Sequence, residues 1–231
     1  MTRPLIVLRP EPGNAATTAA ARELGLSPLP CPLFEIGPVA WQAPLPEHDG
    51  LLAGSANVFR LGGSGLAGLR GLPVHAVGAA TAEAAALAGF TVASTGSGGL
   101  QPLAEMLAPG RYLRLAGAEH VALSPPPGVT IDTSVVYAAY PLPLSPDAAK
   151  ALRNGGVALL HSGEAARHFA AECARLALPR AAIALACLAP RIAEIAGTGW
   201  QTVRIADDRT DRALLALADA MCQTVWPMGH G

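Results

Sequence analysis

Charge is scarce in this chain of 231 residues: 14% of them are Asp, Glu, Lys or Arg, and the formal net charge is −1. Among the 16 basic residues only one, Lys150, is a lysine. A chain so nearly neutral has no basic field of the kind that holds nucleic acid, which argues against a polyanionic polymer as a partner. Long apolar runs are missing too, and the longest are far too short to span a bilayer. The opening MTRPLIVLRPEPG passes straight from an apolar strand into a turn, without the charged head and cleavage site of a signal peptide. These absences set the expectation of a cytoplasmic protein that does not enter a membrane.

Paired cysteines are also lacking. Cys31, Cys173, Cys187 and Cys222 show no CxxC spacing and no nearby histidine pair, so neither a metal site nor a disulfide framework is expected, only buried thiols. No familiar catalytic cassette is present: there is no GxGxxG after the first strand, no GxxxxGK[ST], no HExxH and no GxSxG. GLLAGSAN has a Gly-Ser pair but not the second glycine of a nucleophile elbow. Nucleotide chemistry and serine hydrolysis both lose ground.

What the chain does have is apolar content, 51% of residues, enough for one long domain or two small ones. The excess of arginine matches what a GC-rich genome encodes, as do the many Ala, Gly and Pro. Alternatively, some arginines grip planar carboxylates bidentately. Only position separates these readings.

Short apolar runs bounded by Gly, Pro, Ser or Asn alternate with Ala/Leu-rich stretches of helical period, the pattern of a parallel-sheet α/β protein. LIVLRP reads as a strand and residues 14–24 as a helix stopped by Gly25. GLLAGS leads into a helix from about Asn57, VHAVG into a helix from Thr81 to Ala88, and FTVAS is a strand. A helix over residues 100–107, the strand RYLRLAG and the extended VTIDTSVVYAAYPL follow. The second half repeats the order with GVALLHS, AAIALAC and TVRIA, each followed by a helix, at 164–176, 191–196 and 211–221. The closing WPMGHG reads as a frayed tail.

Sliding LLAGSANVF onto LLHSGEAARHF aligns Ser55 with Ser162, and VGAATAEAAALAGFTV slides onto ACLAPRIAEIAGTGWQTV at a similar offset. A repeat this long suits two copies of one α/β domain. The copies are not simply tandem, because the opening strand LIVLRP has no counterpart just after residue 140. Two extended, Pro-flanked segments, at about 31–40 and 134–143, are the expected crossings between domains if they lie antiparallel. The expected fold is therefore α/β: two similar doubly wound parallel-sheet domains joined by a two-stranded antiparallel linker. Residues 1–36 and 141–231 form one discontinuous domain, and 37–140 an inserted one.

Small or hydroxyl residues recur at the strand-to-helix junctions, where free backbone N–H groups favour anions. Ser55 with Asn57, Gly78 before Thr81, Gly98-Gly99, Gly117, and Ser162 all stand there, though any one of them would also suit an ordinary cap or turn. On the carboxyl edges of two facing sheets they would line a cleft for a ligand carrying many carboxylates. Arg9, ending the first strand, and Arg114, within RYLRL, could face that cleft or solvent. His161, just before Ser162, is the histidine best placed for chemistry, though a structural role fits it as well.

LRPEPG, AGSAN, VGAATAEAAALAGF, LRLAG and SVVYAAYPL stand in the order in which they occur in uroporphyrinogen-III synthases, and the chain resembles that family over nearly its whole length. The resemblance implies two α/β domains joined by a two-stranded ladder, with the linear tetrapyrrole hydroxymethylbilane bound between them. It implies cyclisation to uroporphyrinogen III: loss of the terminal hydroxyl as water, closure through a spiro intermediate, and inversion of ring D. No cofactor is implied, because the substrate's own pyrrole nitrogen generates the electrophile. Tyr137 matches the family's tyrosine in the crossing strand and is the candidate general acid, since a phenol keeps its proton at neutral pH. Thr81 fits the V-G-x-x-T-A position, and Ser55 and Ser162 the paired junctions. With Arg9, Asn57, Gly78, Arg114 and Gly117 they are the candidate substrate-binding residues. A monomer is expected, with transient contact with hydroxymethylbilane synthase as its supplier. Two departures stand out: Leu188-Ala189 replaces a usual Ser or Thr, and Leu100 follows Gly99 where an acidic residue is common. The rival reading is a non-enzymatic two-lobed binding protein for a polycarboxylate. A Rossmann-type transferase is disfavoured by the missing glycines.

Overall fold

The apolar runs become strands in a computed structural model that describes residues 3–44 and 48–223. WPMGHG lies outside the described residues. In chain order the strands are β1 (Leu5–Val7), β2 (Pro28–Pro30), β3 (Phe34–Pro38), β4 (Gly50–Ala53), β5 (Val74–Val77), β6 (Val92–Gly96), β7 (Gly110–Gly117), β8 (Val129–Pro141), β9 (Gly156–Leu160), β10 (Ile183–Cys187) and β11 (Thr202–Ile205). The helices are α1 (Gly13–Glu23), α2 (Asn57–Leu61), α3 (Ala79–Leu87), α4 (Leu100–Glu105), α5 (Pro146–Arg153), α6 (Gly163–Arg175), α7 (Pro190–Ala196) and α8 (Asp211–Gln223). By contacts the chain divides into two units, one of residues up to Glu35 and from Pro141 onward, the other from Ile36 to Tyr140.

The first unit holds a five-stranded sheet in the order β11-β10-β9-β1-β2, with every pairing parallel. Its strands read as nearly continuous apolar runs because both faces are buried. Ile6, Ala158, Leu160, Leu185 and Cys187 pack one way, against α5, α6 and α7. Leu5, Val7, Val157, Leu159 and Ala186 pack the other way, against α1 and α8. The period of two along each strand thus sorts the core into two layers.

The second unit holds the order β3-β8-β7-β4-β5-β6, parallel from β8 through β6. Leu51, Ala53, Val74, Leu113 and Leu115 face α2 and α3, whereas Leu52, Tyr112 and Val129 face α4. The run β6-β5-β4-β7-β8 has the same winding as β11-β10-β9-β1-β2, so β7 is the counterpart of β1 and β8 of β2. The opening strand does have a partner in the repeat, but at the end of the inserted run. The correspondence fails at one connection. β1 reaches β2 through helix α1, whereas β7 reaches the parallel β8 through Ala118–Gly128, a strap without a helix. A parallel crossover is usually helical, and Pro125, Pro126 and Pro127 forbid that here.

The chain passes between units within β3 and again at the end of β8. Val39 N donates to Val136 O in the second unit, and Leu142 N donates to Leu33 O in the first. As residue number rises on one segment it falls on the other, so the two crossings are antiparallel. Two elements went unread in the sequence. One is α5, whose signal is Ser145-Pro146-Asp147: the Ser145 hydroxyl accepts from Ala148 N, with proline in the first turn. The other is β2, bounded by prolines, which its place at the sheet edge permits.

Helix α6 grips the second crossing as it enters the first unit. Glu172 accepts from Leu144 N at 2.7 Å and is clamped by Arg175 Nε and Nη2, both at 2.7 Å. His168 Nε2 donates to Leu142 O. The Arg175 bonds, chiefly, hold the Glu172 carboxyl down at about 2, against the opposing cost of its burial. Because the folded value is depressed, this stabilisation is present above the ordinary carboxylate range and is lost as pH falls through about 2. Glu172→Gln is therefore expected to lower stability at pH 7. The deficit should shrink steadily below about pH 4.5 in urea titrations of both proteins.

Candidate active site

A cavity of about 390 Å³ opens in the second unit at the carboxyl ends of β4 and β7. These two neighbours are where the winding reverses, β4 leading outward to β5 and β6 and β7 outward to β8. Open α/β sheets bind ligands at such a reversal because the following connections diverge there. The cavity exists on the side where the first unit's counterpart connection is a helix and this one is a strap.

Arg114 is the charged group at its floor. Leu113 and Leu115 belong to the α2–α3 layer, so alternation turns Arg114 to the other face, level with the buried Leu52 across the ladder. The residue is only 6% exposed. Its Nη1 donates to Val121 O of the strap at 2.6 Å, but Nε is buried with no partner, and no carboxylate pairs with Arg114 among the described residues. Burial pushes its guanidinium below the ordinary value, and nearby Tyr137 pulls it partway back. A buried unpaired cation is costly unless an anion arrives.

Tyr137 is brought to the same cavity by a bulge. Ala116 pairs with Val135 but Gly117 with Tyr137, so Val136 is an extra residue on β8. Val136 and Tyr137 then both pack on the α2–α3 layer, which unbroken alternation would forbid. The ring lies against Gly117: a Cβ there would stand 2.6 Å from Cε2 and 3.0 Å from the hydroxyl. The Gly117 carbonyl in turn accepts from His120 Nδ1 at 2.8 Å. His120 and Glu119, on the strap, also line the cavity. Neither was singled out in the sequence, where the strap showed no motif.

The other expected residues are distributed unevenly. Ser55 lines the cavity, with its Oγ accepting from Asn57 N at 3.2 Å. Asn57, Gly78 and Thr81 are not among the lining residues. Gly78 takes φ +79° to start α3, and Thr81 is buried in the first turn. Helices α2 and α4 have five and six residues, too few to build much of a macrodipole. That leaves Arg114 and backbone N–H groups as the cavity's candidate donors to an anion.

At the matching edge of the first unit, Ser162 caps α6 by accepting from Ala165 N. Arg9 is already paired: its Nη1 reaches Asp211 Oδ1 at 3.4 Å and Thr17 Oγ1 at 3.2 Å. His161 Nε2 meets the same Asp211 oxygen at 2.7 Å, and Thr17 donates to the other. His161 Nδ1 is buried without a partner among the described residues, and burial is the main force lowering the ring's basicity. Asp211 and Thr17 had shown no sequence signal beyond helix membership. Asn14, fully buried, donates to Val7 O and Arg9 O and so braces the turn after β1. At Leu188-Ala189 the hydroxyl is indeed missing, and Ala189, at the N-cap of α7, supplies no side-chain cap.

The fold and the cavity together define a doubly wound α/β protein with an arginine-floored cavity at a sheet's switch point. A model of the family described as uroporphyrinogen-III synthase HemD matches residues 15–216. The solved uroporphyrinogen-III synthetase of Helicobacter pylori is similar over 95% of this chain and 99% of its own, at 17% identity and a TM-score of 0.62, which supports the fold. A uroporphyrinogen-III synthase of the extremely thermophilic bacterium Thermus thermophilus aligns over 96% of this chain and 97% of its own at 19% identity, but its TM-score of 0.38 is too low to argue from. A search of curated proteins finds no match. The chain belongs to the uroporphyrinogen-III synthase family. It is a cyclising lyase of tetrapyrrole biosynthesis, converting hydroxymethylbilane to uroporphyrinogen III with loss of water.

The Gly117–Tyr137 contact gives a stability prediction. Gly117→Ala is expected to cost about 1–3 kcal/mol by forcing the ring aside. In a Tyr137→Ala background the same change should cost little, a coupling that urea denaturation of the four proteins measures directly.

Proposed function

We propose that the cavity in the second unit receives one end of hydroxymethylbilane, with a substrate carboxylate paired to Arg114. The observation that carries this is the buried guanidinium with an unpartnered Nε. A volume of about 390 Å³ is near the low end for small-molecule pockets and takes only part of a four-ring chain. Ser55, Gly117 and the turn at Gly98-Gly99 line the remainder with small residues that let the ligand approach the backbone. At the first unit's edge, Ser162 and Arg9 are the corresponding contacts in this reading, with Arg9 held in place by Asp211. Asn57, Gly78 and Thr81 act by shaping the connections after β4 and β5 rather than by touching substrate.

Tyr137 is the group offered to the departing hydroxyl. The chemistry needs little else from a side chain: loss of water generates the electrophile from the substrate itself, and the protein's main contribution is to hold the two ends within reach. The protein acts in this reading as a monomer in the cytoplasm. Four free and buried cysteines suit a reducing compartment, and among the described residues no helix is long and apolar enough to cross a membrane.

The direct test is to supply hydroxymethylbilane and separate the oxidised porphyrin isomers. Isomer III above the spontaneous isomer I background is the expected result, and isomer I alone would refute the reading. Arg114→Met separates binding from folding. It is expected to leave stability unchanged or raise it by about 1 kcal/mol or more, as replacing buried charge often does. Loss of a charged hydrogen bond should raise KM roughly tenfold or more.

A further inference from the structure

Among the cavity's lining residues, Arg114, Glu119, His120 and Tyr137 are the ionisable side chains. They meet unequal demands. Closing the ring with loss of water consumes one proton, at the departing hydroxyl, and releases another, from the pyrrole carbon that forms the last carbon–carbon bond. A phenol that has given its proton away must be restored, and a guanidinium neither gives nor takes one at working pH. The cavity therefore calls for a proton acceptor. Histidine is the side chain that exchanges protons near neutrality.

The bond to Gly117 decides which face of His120 is available. A carbonyl oxygen only accepts, so the 2.8 Å contact requires the proton on Nδ1. In the neutral ring that leaves Nε2 with a free lone pair, the form of a general base. The strap is held in place on both sides of the ring: before it, Ala118 N donates to Tyr137 O at 2.9 Å. Gln101 bonds Ser124 twice, through Ser124 O and Ser124 N, each at 2.9 Å, and Val121 O accepts from Arg114. His120 and Tyr137 thus meet one residue, the ring of Tyr137 against the Gly117 Cα and the imidazole on its carbonyl.

We propose that His120 is a second catalytic residue, the base that takes the proton released at ring closure. The inference rests on the synthase reaction stated above. Tyr137 gives its proton to the hydroxyl, the carbon–oxygen bond breaks with its electron pair leaving on oxygen as water, and the neighbouring pyrrole nitrogen supplies the pair that replaces it. After the last carbon–carbon bond forms, the C–H bond at the attacking pyrrole carbon breaks and its electrons restore the aromatic ring. The proton passes to His120 Nε2 and then to the Tyr137 phenolate, and both groups return to their starting states. Protonating the imidazole beforehand blocks the acceptor, so activity falls on the acid side.

The test compares the wild type with His120→Asn, whose amide can still donate to Gly117 O but cannot accept the proton, by following isomer III formation across pH 5 to 9. The expected result is an unchanged melting temperature, KM within a few-fold of wild type, and kcat reduced about a hundredfold or more, with the acid limb of the kcat profile abolished. Wild-type kcat and an intact acid limb in His120→Asn would overturn the proposal. So would an acid limb that disappears in Glu119→Gln and persists in His120→Asn, which would assign the proton to Glu119. A wild type that yields only isomer I would fail at the synthase reading itself, a result distinct from either.

Discussion

A guanidinium turned inward from a parallel strand, with one hydrogen bond to a strap and a buried Nε that has no partner among the described residues, is a cost the folded protein carries. In the second unit that group is Arg114, and the surrounding architecture follows from keeping it there. The alternation along β7 sends it to the face opposite Leu113 and Leu115. The Ala118–Gly128 strap supplies Val121 O in place of a helix. The bulge at Val136 then delivers Tyr137 to the same opening. Each of these departs from regular structure, and such departures persist where they serve a site.

The two units show how one winding can be used in two ways. β1 and β7 occupy equivalent places in their sheets, and each sends an arginine toward its carboxyl end. Arg9 meets Asp211, Thr17 and a helical crossover, and its charge is answered within the unit. Arg114 meets a proline-bearing strap and, among the described residues, no carboxylate. The cavity of the second unit thus opens beside a strap at the place where the first unit's chain runs through a helix. His120 and Tyr137, the residues proposed to transfer protons, both line that opening and both meet Gly117.

Much of this was legible in the sequence, because it depends on local pattern. The strand and helix order followed from apolar period and small-residue turns, and the two sheets read as repeats because LLAGSAN and LLHSGEA mark equivalent junctions. The family resemblance rested on short motifs in order, and the matched residues 15–216 agree with it. What stayed hidden depends on geometry. Whether Arg114 faces solvent or the interior turns on pairing with Leu52, a register that no single strand reveals. The engagement of Arg9 with Asp211 joins residues 202 positions apart. His120 had no motif at all, since its role comes from a bond to Gly117 O and from the strap that carries it. Tyr137 was identified by resemblance, but the bulge that aims it was not visible.

The central claim is that Arg114 is kept buried and underbonded for a carboxylate of the tetrapyrrole. The most direct measurement is a structure of the protein with the oxidised product, uroporphyrin III, bound. The account predicts a carboxylate oxygen within about 3 Å of Arg114 Nε, with the Val121 contact kept or exchanged for the ligand. A bound tetrapyrrole whose carboxylates all lie elsewhere, with Nε still unpartnered, would contradict it.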